Sequence, residues 1–241
     1  MVGNRMAKAL IFVVLLGFAR IWAQQNSEVS PRDSTDWWSI LSPTEELDST
    51  TLQHRELAGR NFQILGIDVR HFDFADVEKK LGSSAHIGRG DASTSREQLC
   101  YVSPVKDHPK YLIFEQGEVA SSVYLFSVDR PWNGRDLCSR SRQITQGVKT
   151  GSGLELGLSM SQVIRILGAP SRRVGEDLEY WMSVTKPTSL KDLARIRSQH
   201  PELSDEEIRR EYGHYDFNVF IKAKFNASGM VYLAIVTTET T

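Results

Sequence analysis

The sequence predicts an α+β protein in which a short helix packs on an antiparallel β-sheet, the whole unit being built twice in tandem. Three observations predict it. A capped helix stopped by glycine occurs twice, with Val77, Leu81 and Gly82 recurring 86 residues later as Val163, Leu167 and Gly168. Aromatic and β-branched runs follow each helix. The closing run Val123-Tyr124-Leu125 recurs as Val231-Tyr232-Leu233.

The second helix is the better marked. Met160, Val163, Ile164 and Leu167 fall at i, i+3, i+4 and i+7, one face of a helix. Ser159 and Gln162 have capping-box spacing, in which hydroxyl and amide satisfy each other's free backbone donors. Gly168 is placed to take a left-handed C′ conformation, and Pro170 prevents continuation. In the first copy Asp73 caps, Phe74, Val77 and Leu81 form the buried stripe, and Gly82 stops the helix.

Strands are expected over 98–102, 111–115 and 121–128, with a turn at Gly117, and again over 179–184, 217–225 and 230–238. The last two are joined by Asn226-Ala227-Ser228-Gly229, which suits a hairpin loop. That tetrapeptide also fits the N-glycosylation pattern, but turn chemistry accounts for it. The spacing of the repeats grows from 86 at the helices to 108 at the closing strands, so the second copy holds 22 extra residues. Residues 187–213 supply them, with helices over 190–198 and 205–212 split by Pro201. Ser204 and Glu207 make another capping box. The units therefore span 61–146 and 147–241, with Gly151-Ser152-Gly153 read as a linker.

Ahead of them, residues 1–23 read as an export signal: Arg5 and Lys8, an apolar run from Ala9 to Phe18, then Ile21-Trp22-Ala23 before Gln24. A membrane anchor is the alternative, but Arg20 breaks a run that needs roughly 20 apolar residues to span. No second run of that length exists, so no stable membrane insertion is expected after cleavage. Residues 24–60 form a polar tether. Within it Trp37-Trp38-Ser39-Ile40-Leu41 is placed to dock on the body or on a partner, and 45–60 to form a loose helix.

The signal holds three cations and no acid, so its loss takes Lys+Arg from 29 to 26 against 30 Asp+Glu. Such a mildly acidic chain has no electrostatic footprint for nucleic acid. Export puts Cys100 and Cys138 in an oxidising compartment, where an even pair bonds. A reactive thiol or a metal pair is the alternative, but neither cysteine has Cys-x-x-Cys or adjacent-His spacing. The loop so closed is worth roughly 4 kcal/mol in the chain-entropy model.

Gly157-Leu158-Ser159, then Val163, then Leu167-Gly168-Ala169-Pro170, resembles the signature of the small outer-membrane-assembly lipoproteins, the SmpA/OmlA or BamE-like family. That family shares its helix-pair-plus-antiparallel-sheet unit with the tandem β-lactamase inhibitory protein. The likeness covers about residues 151 to 184, and the first copy lacks the proline. It implies an α+β unit used for protein binding in exported bacterial proteins. One departure is that no cysteine lies near the cleavage site for lipid attachment. No inhibitor contact motif matches position by position.

Chemistry is sparse. The six histidines form no His-Glu-x-x-His array and no pair at ligand spacing, so neither metal nor cofactor is expected. No Gly-x-Ser-x-Gly elbow or phosphate-binding glycine loop appears. The acidic groups Glu176-Asp177 with Glu179, and Asp205-Glu206-Glu207, read as a strand entry and a helix first turn. Tyr101, Tyr124, Tyr180, Trp181 and Tyr232 lie in expected strands, with Arg172 and Arg173 beside the Ala169-Pro170 turn. Those residue types dominate interface energetics, and a sheet face not packed on helices presents them to a partner. The expectation is an exported, non-catalytic protein binder of the periplasm or extracellular space, either an assembly factor or an inhibitor. A small hydrolase using carboxylates, or a small-ligand binder with a pocket between the units, is the alternative.

Overall fold

Helix boundaries follow from the caps in the computed structural model, which describes residues 49–89, 95–118, 120–127 and 136–240. The expected signal segment and Trp37-Trp38 lie outside these residues. Helix α1 (Phe74–Leu81) starts where the Asp73 carboxylate accepts from the Ala75 N–H at 2.8 Å. Helix α2 (Met160–Leu167) starts at the Ser159–Gln162 capping box. Both stop at glycine, though not in the left-handed helical region expected. Gly82 (φ 98°, ψ 161°) and Gly168 (φ 84°, ψ −168°) turn the chain outward with extended ψ, at positive φ that other residues rarely adopt.

The strands form two consecutive meanders. The first contains β3 (His86–Arg89), β4 (Arg96–Val102), β5 (Lys110–Gly117) and β6 (Ala120–Ser127). The second contains β8 (Arg172–Val174), β9 (Asp177–Pro187), β10 (His214–Asn226) and β11 (Gly229–Thr240). All belong to one sheet in the order β3-β4-β5-β6-β11-β10-β9-β8, with β7 (Ser139–Arg140) parallel beside β4. A short hairpin of β1 (Gln63–Ile64) and β2 (Ile67–Asp68) stands apart. Read from either edge, the main order is the same: a short strand, a long one, a middle one and a closing one. The closing strands β6 and β11 pair antiparallel at the centre, where Leu125 stands opposite Leu233.

One face of this sheet packs on the helices. Leu99, Tyr101, Leu112, Phe114 and Leu125 share a core with Val77 and Leu81, and Leu178, Tyr180, Ile221 and Leu233 extend it to Val163 and Leu167. Each side chain of this size withdrawn from water contributes about 1.5–3 kcal/mol. The alternate residues of every strand point to the opposite face, away from α1 and α2.

The expected insert is present as α3 (Leu190–Gln199) and α4 (Asp205–Tyr212), with the Ser204–Glu207 box in place. Two other expectations are corrected. No α-helix occupies the described part of 45–60; instead the backbone of Gln53 bonds β9, its N–H to Trp181 O at 2.9 Å and its carbonyl to Ser183 N–H at 3.0 Å. Gly151-Ser152-Gly153 is no loose linker, because the Gly151 N–H donates to Gln63 O at 2.7 Å and Thr150 bridges Ile64. The disulfide Cys100–Cys138 is formed.

Candidate functional site

Strand alternation divides the expected interface residues between the two faces. Tyr101 and Tyr180 point to the helix side and are wholly buried. Each donates its hydroxyl to the glycine that stops the neighbouring helix: Tyr101 to Gly82 O at 2.9 Å, Tyr180 to Gly168 O at 3.2 Å. Burial pushes both phenols up to about 12. These rings seal the helix–sheet seam and are out of reach of a partner.

Tyr124 and Tyr232 do lie on the face away from α1 and α2, but at 0% and 4% exposure they are not the open anchors expected. Neighbouring side chains of the same face contribute to the cover of Tyr232. Tyr111 stacks on Phe126 at 5.1 Å, Phe126 meets Tyr232 at 6.4 Å, and Lys224 Nζ lies 5.3 Å over the Tyr232 ring. Burial raises both phenols well above the ordinary tyrosine range. The Tyr232 hydroxyl, though buried, has no hydrogen-bond partner among the described residues.

Register places the side chains of this face in rows across the sheet. One row reads Gln98, Glu115, Ser122, Val236, Phe220, Trp181. The next reads Cys100, Ile113, Tyr124, Ala234, Lys222, Glu179, Arg172. In the first half Glu115 receives Arg96 at 2.8 Å, the Tyr124 hydroxyl at 3.2 Å and the Gln98 amide. In the second half Arg172 lies 2.6 Å from Glu179, and Lys222 lies 2.9 Å from it. Burial works to raise the Glu179 carboxyl, but hydrogen bonds and charge from Lys222 and Arg172 outweigh it and hold it below the usual carboxylate range.

The second half of this face is the more open. Trp181, Phe220 and Val236 are half-buried neighbours in one row, with Arg172 and Lys224 also half-buried beside them. Arg172 and Arg173 do not form the single rim expected. Consecutive strand residues point to opposite faces, and Arg173 is exposed on the other side with its Nε donating to Gly175 O at 3.1 Å.

Glu115 and Glu179 are separated by four strand spacings, about 19 Å along the sheet. Asp177 lies closer to Glu179, on the same strand and face, and the two share Lys222, whose Nζ is 4.0 Å from Asp177 and 2.9 Å from Glu179. Among the described residues no group of three or more His, Cys, Asp or Glu is placed to hold a metal ion.

Sequence reasoning missed Glu115, Lys222 and Phe220. A usable signal existed, since Phe114-Glu115, Leu178-Glu179-Tyr180 and Ile221-Lys222-Ala223 each set one charge inside an apolar run. On a strand that marks a face other than the core-packing one. Comparison with protein-family models, with curated proteins and with solved structures finds no match.

Proposed function

We propose that the protein is an exported, non-catalytic binding module of the cell envelope, recognising another protein with the face of its sheet that points away from α1 and α2. The observation that carries this reading is the half-buried row Trp181–Phe220–Val236, bordered by Arg172, Lys222 and Lys224. An aromatic centre with a cationic, hydrogen-bonding rim is the composition of energetic hot spots. The carboxylates of the same face are held in ion pairs, Glu115 with Arg96, and Glu179 and Asp177 with Lys222, which favours recognition over hydrolysis. The disulfide suits an oxidising compartment, and no helix among the described residues is long and apolar enough to cross a membrane.

We also propose that the two halves descend from one BamE-like unit, arranged in tandem as in the β-lactamase inhibitory protein. Support comes from the mirrored strand order and from the matched tyrosine–glycine bonds, which tie each meander to its own helix.

The test is affinity capture with the mature chain as bait, from envelope and culture-supernatant fractions, beside a Trp181→Ala/Phe220→Ala variant. The variant is expected to lose at least tenfold in affinity for the captured protein, in line with about 2 kcal/mol per anchor. A saturable complex that blocks a secreted hydrolase identifies an inhibitor, and co-purification with outer-membrane components identifies an assembly factor. Undiminished binding by the variant refutes the assigned surface.

A further inference from the structure

A concave feature lies at the end of the sheet remote from the β10–β11 hairpin. There a cleft of about 300 Å³ opens between the two halves. The segment after β2 brings Arg70 and His71 to one wall, and the β5–β6 turn brings Glu118. Ser121 at the start of β6 and Thr238 and Glu239 near the end of β11 complete the polar lining. Thr237 Oγ1 donates to Ser121 O at 3.3 Å, tying the two strands together beneath it.

The charges lining this cleft are of both signs and are not spent on one another. The Arg70 guanidinium is fixed by Asp68, through Nε at 2.9 Å and Nη2 at 2.6 Å, and lies 5.1 Å over the Phe62 ring. Its third nitrogen, Nη1, donates no hydrogen bond among the described residues. Glu118 and Glu239 are exposed and enter no ion pair among the described residues. The guanidinium is thus held in place by bonds within the fold, while the two carboxylates stand outside any ion pair among the described residues. A rigid donor set of one sign near unpaired groups of the other fits a ligand that is itself bipolar. The volume sits at the small end of ligand sites, which run from about 300 to 1,000 Å³.

We propose that this cleft binds a small zwitterion of the α-amino-acid type, its carboxylate on Arg70 and His71 and its ammonium on Glu118 and Glu239. The Ser121 hydroxyl supplies a hydrogen bond between the two ends. This site is separate from the protein-binding face and stands or falls without it.

Calorimetric titration of the mature protein with L-alanine and L-serine tests the assignment, beside their methyl esters, their N-acetyl derivatives and sodium chloride at matched ionic strength. The free amino acids are expected to bind saturably. The esters lack the carboxylate and the N-acetyl compounds lack the ammonium, so each is expected to bind at least tenfold more weakly. Glu118→Gln and Glu239→Gln, both at exposed positions, are expected to weaken the free amino acids at least fivefold. Ser121→Phe fills the cleft and is expected to abolish binding. Absence of saturable binding by both amino acids overturns the proposal, as does equal binding of the blocked derivatives or undiminished binding by both glutamine variants.

Discussion

Glu179 shows how a single residue changes meaning with its surroundings. In the chain it is one acid of a cluster at a strand entry; in the fold its side chain is 1% exposed and receives Arg172 and Lys222. Its carboxyl is held below the ordinary range, so the ionised form favours the folded state. The stabilisation is present above the unfolded carboxylate pKa and is lost as pH falls through the lower, folded one. Urea midpoints are therefore expected to drop between pH 5 and pH 3, and Glu179→Gln is expected to flatten that dependence. At pH 7 the substitution removes the charge that two cations share, and about 3 kcal/mol of stability with it. A midpoint unchanged at pH 7 removes this account. Tyr101 and Tyr180 carry a second lesson at the same scale. They occupy matched places, yet stand 19 and 12 residues beyond their glycines. The loop before β4 is longer than its counterpart before β9, and constant spacing between the copies hid that correspondence.

At the scale of elements, the helices and hairpins were legible because their determinants are local. Asp73, Ser159 and Ser204 cap within three residues of themselves, so spacing alone located three helix starts. Strand ends were not legible. β9 runs on to Pro187 and β10 starts at His214, because the flanks outside the core are polar and lack the alternating signal. The same applies to Gln53, whose backbone bonds go to a strand more than a hundred residues away. The β10–β11 hairpin gives a sharp test. Gly229 has φ 107°, and a Cβ there would sit 2.4 Å from Gly157 O. The approach is close because the Gly157 N–H donates to Met230 O at 2.7 Å and the Met230 N–H to Leu158 O at 2.8 Å. Gly229→Ala is expected to cost more than about 1 kcal/mol, through strain at positive φ and displacement of the α2 entry. Equilibrium denaturation checks it, with Gly175→Ala, where no atom lies within 4 Å, as the control for φ alone.

Across the whole molecule, the sheet is one continuous layer, so the stability of each half is tied to the seam between β6 and β11. The disulfide adds a constraint within the first half, spanning 38 residues. Cys100→Ala/Cys138→Ala is expected to lower unfolding free energy by about 2–4 kcal/mol, read from the denaturant midpoint. Alkylation of the unreduced protein is expected to leave its mass unchanged, and a mass gain disproves the bond in solution. The sequence by itself determined the α+β class, the cap-to-stop helices, the hairpin, the helical insert and the cysteine pair. Each of these rests on neighbours a few residues apart or on the chemistry of a compartment. Only the tertiary structure decided which face each tyrosine takes, that the two meanders join through their last strands, and that Glu115 and Glu179 lie far apart. Those outcomes depend on strand order and register, which are set by long-range pairing and shared burial of an apolar face, and no local pattern encodes them.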